Sequence, residues 1–302
     1  DLNKLNITYH PDYDIPVPAK HRFVGTKFSD LFYYLKEQKF FSKCNITHPQ
    51  SAPKERLLRA HSSSYIDKIY KNKLSDSELR KINLPWSKRL RKRSFLAIEG
   101  TYQAAKLSLE YGIACHVGGG THHAHREYGF GFCVFNDLAY TALNLIEENF
   151  VKNVLILDTD VHQGDGTIDI CQKHPSIYTC SIHSESNFPF EKKQGWLDVS
   201  IPAKSSDEYY LSQINQTLKE IDNRISPDIV LYDGGVDIFR DDGLGNLNIS
   251  REGIIQRDKM ILENFRKKRV PVTTVIGGGY SVDKSELASR HAIVFEVAIE
   301  MI

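Results

Sequence analysis

Val154-Leu-Ile-Leu-Asp-Thr-Asp-Val-His-Gln-Gly-Asp-Gly166 decides how this chain is read. Its first four residues are apolar without alternation, the mark of a strand buried on both faces. Asp158, Asp160, His162 and Asp165 then crowd onto the carboxyl end of that strand. Asp160 and His162 stand two positions apart, so in an extended segment both point to one side. Helix capping would account for one aspartate, but poorly for Asp-x-Asp-x-His followed by Gly164-Asp-Gly166.

The same succession of apolar run and polar cluster recurs on either side. Residues 114–117 run into Gly118-Gly-Gly120 and then His122-His123. Residues 229–232 precede Asp237, and residues 272–276 lead into Gly277-Gly-Gly279 and Tyr280. Residues 177–182 form a further apolar run. Helical patterns separate these runs at about 136–149, 165–174, 207–224, 251–268 and 286–302. Ser206 and Ser250 read as N-caps ahead of acidic first turns. Earlier in the chain, 28–39 and 94–110 read as helices, and 51–54 and 84–87 as loops. This alternation predicts an α/β fold, a single-domain open, mostly parallel sheet with helices on both faces, spanning 1–302. Such sheets gather ligands at the C-terminal ends of their strands. All four polar clusters fall at that edge.

Composition narrows the function classes. A chain of 302 residues with 41% hydrophobic and 25% charged residues is ordinary for a globular protein. A formal charge of +1 gives no global attraction to nucleic acid or anionic membrane, so no direct nucleic-acid binding is expected. No apolar stretch approaches the ~20 residues of a membrane span. The opening Asp1-Leu-Asn-Lys-Leu-Asn6 lacks the basic-then-apolar pattern of a secretion signal. Five dispersed cysteines without a C-x-x-C pair argue against a disulfide framework or a structural zinc site, and point to a reducing, cytoplasmic location.

Asp160 and His162 with Asp237 make an Asp₂His set, which suits one Zn²⁺ or Fe²⁺ with open positions, as in a catalytic site. Adjacent His122 and His123 suit proton transfer better than joint ligation. Each needs an orienting carboxylate, and Asp158 and Asp165 are the spare acids nearby. Tyr280, after glycines that permit close approach, can donate to a developing oxyanion. Neither glycine run is followed by the Lys-Ser/Thr of a phosphate loop. Phe132 and Phe188 read equally as core or as walls of an apolar channel. The basic run 87–93 reads as a solvated helix start, with docking of an acidic partner as the weaker reading. Together these parts suit metal-assisted hydrolysis of an amide.

Gly118-Gly-Gly-Thr-His-His-Ala124, Gly131-Phe-Cys133 with Asn136-Asp137, Asp158–Gly166, Ser181-Ile-His183, Gly235-Val-Asp237 and Gly278-Gly-Tyr280 follow one another over about 115–290. This ordered set resembles the histone deacetylase superfamily, and Tyr9–Pro16 is similar to the family's opening. Gln163 after His162, and the stretch Asp241–Ser250, look most like class IV deacetylases and their bacterial relatives. The resemblance implies the arginase-like α/β fold and zinc-dependent removal of acetyl or longer fatty acyl groups from lysine side chains of a protein or peptide. It implies Asp160, His162 and Asp237 as metal ligands, and His123, oriented by Asp165, as general base. His122 paired with Asp158 would give electrostatic support, and Tyr280 would polarise the carbonyl. Gly131, Phe132 and Phe188 would line the substrate tunnel, with Phe190 as the alternative to Phe188. A structural K⁺ would use Asp158, Asp160, His162, Ser181 and Ile182, mainly through backbone oxygens.

Leu244 falls near the implied tunnel rim and favours a lysine side chain over an acetylpolyamine, whose second ammonium needs an acidic group there. Asp241 and Asp242 are close enough to keep the polyamine reading open. A silent acyl-lysine binder would lack a ligand or Tyr280, and none is lost. A two-metal hydrolase would need further bridging aspartates, which the chain does not supply.

Overall fold

All five apolar runs become strands of one sheet in the computed structural model, which describes residues 3–302. Asp1 and Leu2 of the opening segment lie outside the described residues. The strands are β1 (Leu5–Thr8), β2 (Cys44–Thr47), β3 (Ile113–His116), β4 (Val154–Asp158), β5 (Ile177–Ser184), β6 (Leu197–Ile201), β7 (Val230–Asp233) and β8 (Val272–Val275). Their order is β2-β1-β3-β8-β7-β4-β5-β6. Every pairing is parallel, so the sheet is wholly rather than mostly parallel among the described residues.

The strands that carry the polar clusters, β3, β8, β7 and β4, are adjacent in the sheet. Each is buried along its whole length, which is why each is dominated by apolar and β-branched residues. The three strands that the hydrophobic pattern did not reveal sit at the flanks. β2 and β6 are half-exposed edge strands. β1 is buried, but Asn6 and Thr8 interrupt its apolar character.

The helices are α1 (Lys27–Lys36), α2 (Lys54–Ala60), α3 (Ser63–Tyr70), α4 (Asp76–Ile82), α5 (Lys88–Tyr111), α6 (Asp137–Glu147), α7 (Asp165–Cys171), α8 (Asp207–Arg224), α9 (Arg251–Lys267) and α10 (Lys284–Ile299). They form two layers against the sheet. In one, α5 packs on α6 and α6 on α7; in the other, α1, α10, α9 and α8 pack in succession. α5 begins at Lys88 rather than at 94, because the basic run is its first turns. Ser87 caps it by accepting from Leu90 N at 3.0 Å, and Arg93 turns inward over Phe28. Ser250 caps α9 through Gly253 N at 3.0 Å. Ser206 precedes α8 but makes no side-chain cap, contrary to expectation. The neighbouring Asp207 instead accepts from Ser250 N at 2.8 Å and ties α8 to α9.

Two buried arginines hold the segment after β7. Arg257 of α9 donates to Gly235 O at 2.6 Å and Gly234 O at 3.1 Å. Arg290 of α10 donates to Val236 O at 2.8 Å and Asp242 Oδ2 at 2.6 Å. Such fully hydrogen-bonded buried cations fix a loop that carries no regular structure of its own. No helix among the described residues is long and apolar enough to cross a membrane.

Candidate active site

The loop after β3 is tied down by the start of α6. Asp137 Oδ1 accepts from Thr121 N at 2.7 Å and Thr121 Oγ1 at 2.8 Å. Asn136 caps α6 by accepting from Ala139 N, and its Nδ2 donates to Ala124 O at 3.0 Å. The Asn136-Asp137 pair therefore grips both sides of His122-His123, and both histidines are buried.

β4, β7 and β8 bring a second set together. Asp160, His162 and Asp237 place ligand atoms within 4.8 Å of one another. His162 Nδ1 lies 3.1 Å from both Asp160 Oδ1 and Asp237 Oδ2. The remaining carboxylate oxygens are anchored by backbone. Gly278 N donates to Asp160 Oδ2 at 2.7 Å, and Val161 N to Asp237 Oδ1 at 2.9 Å. Gly278 is glycine for lack of room, since a Cβ there would lie 2.0 Å from Asp237 Oδ2. A buried cradle of two carboxylates and an imidazole, each with an atom turned to a common point, fits a divalent cation.

Electrostatics in the cation-free site point the same way. Burial and the nearby Asp160 push Asp237 up to about 6. Burial opposes ionisation of Asp160 as well, but His122 and His162 outweigh it and hold that carboxyl well below its usual range. Burial pushes His162 down, yet Asp160 and Asp237 raise it to about 10. A proton on His162 thus stands where a cation would. Cation binding is expected to release about one proton at neutral pH and to tighten as pH climbs toward 10. Calorimetry in buffers of different ionisation enthalpy reads the proton count, and a value of zero would contradict the placement. For the cation-free fold the sign is opposite. The raised His162 contributes stability that is complete below its ordinary value of 6.5 and is lost as pH rises through about 10.

The two histidines are differentiated by their partners. His123 Nδ1 donates to Asp165 Oδ1 at 2.6 Å, and His122 Nδ1 to Asp158 Oδ2 at 2.5 Å. Burial and the adjacent His122 push His123 down to about 4, so it is a neutral base. Burial acts against His122 too, but Asp158 and Asp160 overcome it and keep that ring cationic.

Above these groups opens a mouth of about 290 Å³, lined among others by Arg22, Gly131, Phe132, Phe188, Leu244 and Tyr280. Phe188 packs edge-on against His123, with ring centroids 5.1 Å apart. Phe190 is 83% exposed, so Phe188 and not Phe190 stands against the site. Phe132 takes a left-handed backbone conformation with φ 69°, costly for a bulky residue and held by Gly131 N and Phe132 N donating to Lys81 O and Ile82 O. That turn aims its ring at Tyr280, with centroids 6.0 Å apart. Gly131 leaves space where a Cβ would meet His123 Cδ2 at 2.9 Å.

Three contributors are not singled out by the sequence, and a fourth, Asp242, reads there only as a rim acid. Phe130 packs on Phe188 at 4.9 Å between ring centroids. Lys27, buried, donates to Gly277 O at 3.1 Å and lines a small pocket of about 50 Å³ behind His122, Asp160 and Tyr280. Asp242 accepts from Tyr280 N at 2.8 Å and from Arg290. His125 contacts Asp165 at 3.0 Å. Of the residues implied for K⁺, Asp158 and Ser181 are register partners on β4 and β5, with Ile182 next along β5. Asp160 and His162 belong to the divalent-cation cluster.

The sequence model of the histone deacetylase domain matches residues 21–295. An uncharacterised protein of Picosynechococcus sp. is 37% identical over 292 residues, covering 97% of this chain and 97% of that protein. Histone deacetylase 2 of Arabidopsis thaliana is 28% identical, covering 97% of this chain and 81% of its own. The acetoin utilization protein AcuC of Staphylococcus aureus is 28% identical over 78% of this chain and 67% of its own. Among solved structures, a histone deacetylase homologue from Aquifex aeolicus superposes with a TM-score of 0.80 at 22% identity, over 98% of this chain and 84% of that one. A histone deacetylase homologue complexed with SAHA gives 0.81 at the same identity and coverage.

Proposed function

The chain belongs to the histone deacetylase family, and from that premise we propose that it removes acyl groups from lysine side chains of proteins or peptides. The observation that carries the reading is that His162 of the Asp160, His162 and Asp237 cradle, neutral His123 and Tyr280 all line one mouth.

A divalent cation, Zn²⁺ or Fe²⁺, held by Asp160, His162 and Asp237 supplies Lewis acidity toward water and the amide carbonyl when bound. His123, its Nδ1–H given to Asp165, offers Nε2 to take the proton of the attacking water and return it to the leaving amine. Cationic His122, paired with Asp158, adds positive charge beside the developing negative charge. Tyr280 donates a hydrogen bond from its phenol to the oxyanion and keeps its proton. Phe132, Phe188 and Gly131 pass the lysine methylenes, and Leu244 meets the substrate at the rim.

Charge at the mouth supports lysine over acetylpolyamines. Asp242 is buried in its pair with Arg290, and Asp241 is 77% exposed beside Arg240. Arg22 stands at the mouth, donating to Gly243 O at 2.9 Å. No carboxylate among the described lining residues of the mouth is free to receive a second ammonium. We read residues 1–302 as one catalytic domain of class IV type, with K⁺ held by Asp158, Asp160, His162, Ser181 and Ile182. A cytoplasmic location fits the five free cysteines.

Hydrolysis of acetyl-, octanoyl- and myristoyl-lysine peptides, with acetylspermidine alongside, tests the reading. Turnover of a lysine peptide with acetylspermidine untouched is expected. Turnover of acetylspermidine alone would replace acyl-lysine with the polyamine substrate.

A further inference from the structure

The two His–Asp dyads of the site are not anchored alike. Asp158 gives Oδ2 to His122 and takes Asp160 N on Oδ1 at 3.1 Å, so backbone fixes its plane. Asp165 gives Oδ1 to His123 at 2.6 Å, and its Oδ2 meets a side chain instead, His125 Nε2 at 3.0 Å. His125 is buried, and its Nδ1 lies 2.8 Å from Asp169 Oδ2. Asp165 and Asp169 are four residues apart on α7, hence on one face, and His125 spans them. Both ring nitrogens face acceptors, so both must carry hydrogen, which makes the ring an imidazolium. Burial works against that charge, but Asp165 and Asp169 outweigh it.

The rest of the ring's surroundings restrain it. His125 N donates to Tyr128 O at 2.9 Å, and the ring stacks on Tyr128 with centroids 4.5 Å apart and planes 15° apart. The loop presses close on α7, where a Cβ on Gly166 would lie 2.2 Å from Ala124 O. The chain of contacts ends at Asp169, whose side chain is 37% exposed.

We propose that His125 is a positioning residue for the His123–Asp165 dyad, clamping the free oxygen of Asp165 through Nε2 while Asp169 holds the clamp through Nδ1. Asp165 sits in the first turn of a seven-residue helix, and among the described residues no backbone N–H donates to its carboxylate. Without His125 its carboxylate is free to rotate, and the Nδ1–H bond that orients His123 loses its fixed acceptor. The role lies beyond the hydrolysis proposed above and rests on that reading only for its activity readout.

Three substitutions separate the two ends of the ring. His125→Ala removes both contacts. His125→Gln keeps an N–H donor near the Nε2 position, toward Asp165, and His125→Asn keeps one near Nδ1, toward Asp169. His125→Ala is expected to lower kcat about 10- to 100-fold with KM little changed, as for partners one step removed from a reacting group. His125→Gln restores most of the loss, and His125→Asn does not. Asp169→Asn, at the exposed end and harmless to packing, gives a smaller fall in the same direction. Proton NMR of the cation-loaded protein without substrate reads the dyad directly. The downfield His123 Nδ1 proton shifts or broadens in His125→Ala and His125→Asn and persists in His125→Gln. Wild-type kcat with an unmoved proton signal in His125→Ala would overturn the proposal, as would rescue by asparagine equal to that by glutamine. If the wild-type protein turns over no acyl-lysine peptide, the substrate reading fails alone, and the proton signal still decides the role of His125.

Discussion

Asp237→Ala is expected to empty the cation site and take acyl-lysine turnover to the uncatalysed background. Asp237 gives Oδ2 to the shared point at His162 and Oδ1 to Val161 N. Its loss leaves two protein ligands where a catalytic cation needs about three. It also orphans a buried backbone N–H, worth about 1–3 kcal/mol. Against that, the variant removes a carboxylate that burial and Asp160 already make reluctant to ionise. The cation-free fold should therefore survive, and Asp237→Asn, which keeps an acceptor for Val161 N, should be the more stable variant. Two measurements separate loss of metal from loss of fold. The first is bound metal per chain. The second is the rise in unfolding free energy on adding Zn²⁺, about 2.7 kcal/mol for the wild-type protein at 100 times Kd and near zero for the variant. Full cation content with retained turnover in Asp237→Ala would remove Asp237 from the ligand set.

What the sequence discloses follows from where each residue sits. Strands buried on both faces are rich in apolar and β-branched residues, so β3, β4, β5, β7 and β8 stand out, as do the polar clusters at their ends. Edge strands β2 and β6 need no such run and stay hidden in polar sequence. The Asp160, His162 and Asp237 cradle is legible because each ligand follows its strand by a few residues. His125 and Asp169 are 44 residues apart in sequence, and only the packing of α7 on the 122–125 loop unites them. Lys27 opens α1 and Arg290 lies in α10; a charged residue on a helix ordinarily reads as solvated, yet both are buried around the site. Asp242 reads as a rim acid from its place after Asp237. Only the approach of α10 shows that it faces Arg290.

That pairing bears on the residue at the centre of the second large effect. Tyr280→Phe is expected to lower kcat by about 10²- to 10³-fold, the usual consequence of deleting one oxyanion donor. Burial, and then Asp237 and Asp160, push the Tyr280 phenol well above its ordinary value, so it remains a hydrogen-bond donor across the working pH range. Its backbone is fixed from both sides. Tyr280 N donates to Asp242 Oδ2 at 2.8 Å, while its carbonyl accepts from Gly243 N at 3.0 Å. The ring packs against Phe132 and His162, with centroids 6.0 and 6.4 Å away, and phenylalanine can keep those contacts. Only the hydroxyl is lost, so folding and cation content should be unchanged. A donor that engages the substrate chiefly in the transition state lowers kcat and kcat/KM together and leaves KM nearly constant. Asp242→Asn offers a graded control, because its amide oxygen still accepts from one partner while the charge facing Arg290 is gone. It should lower kcat less than Tyr280→Phe, at a greater loss of stability. A Tyr280→Phe variant whose KM rises while kcat holds would assign the phenol to substrate binding, and Asp242 would then support a rim contact rather than an oxyanion donor.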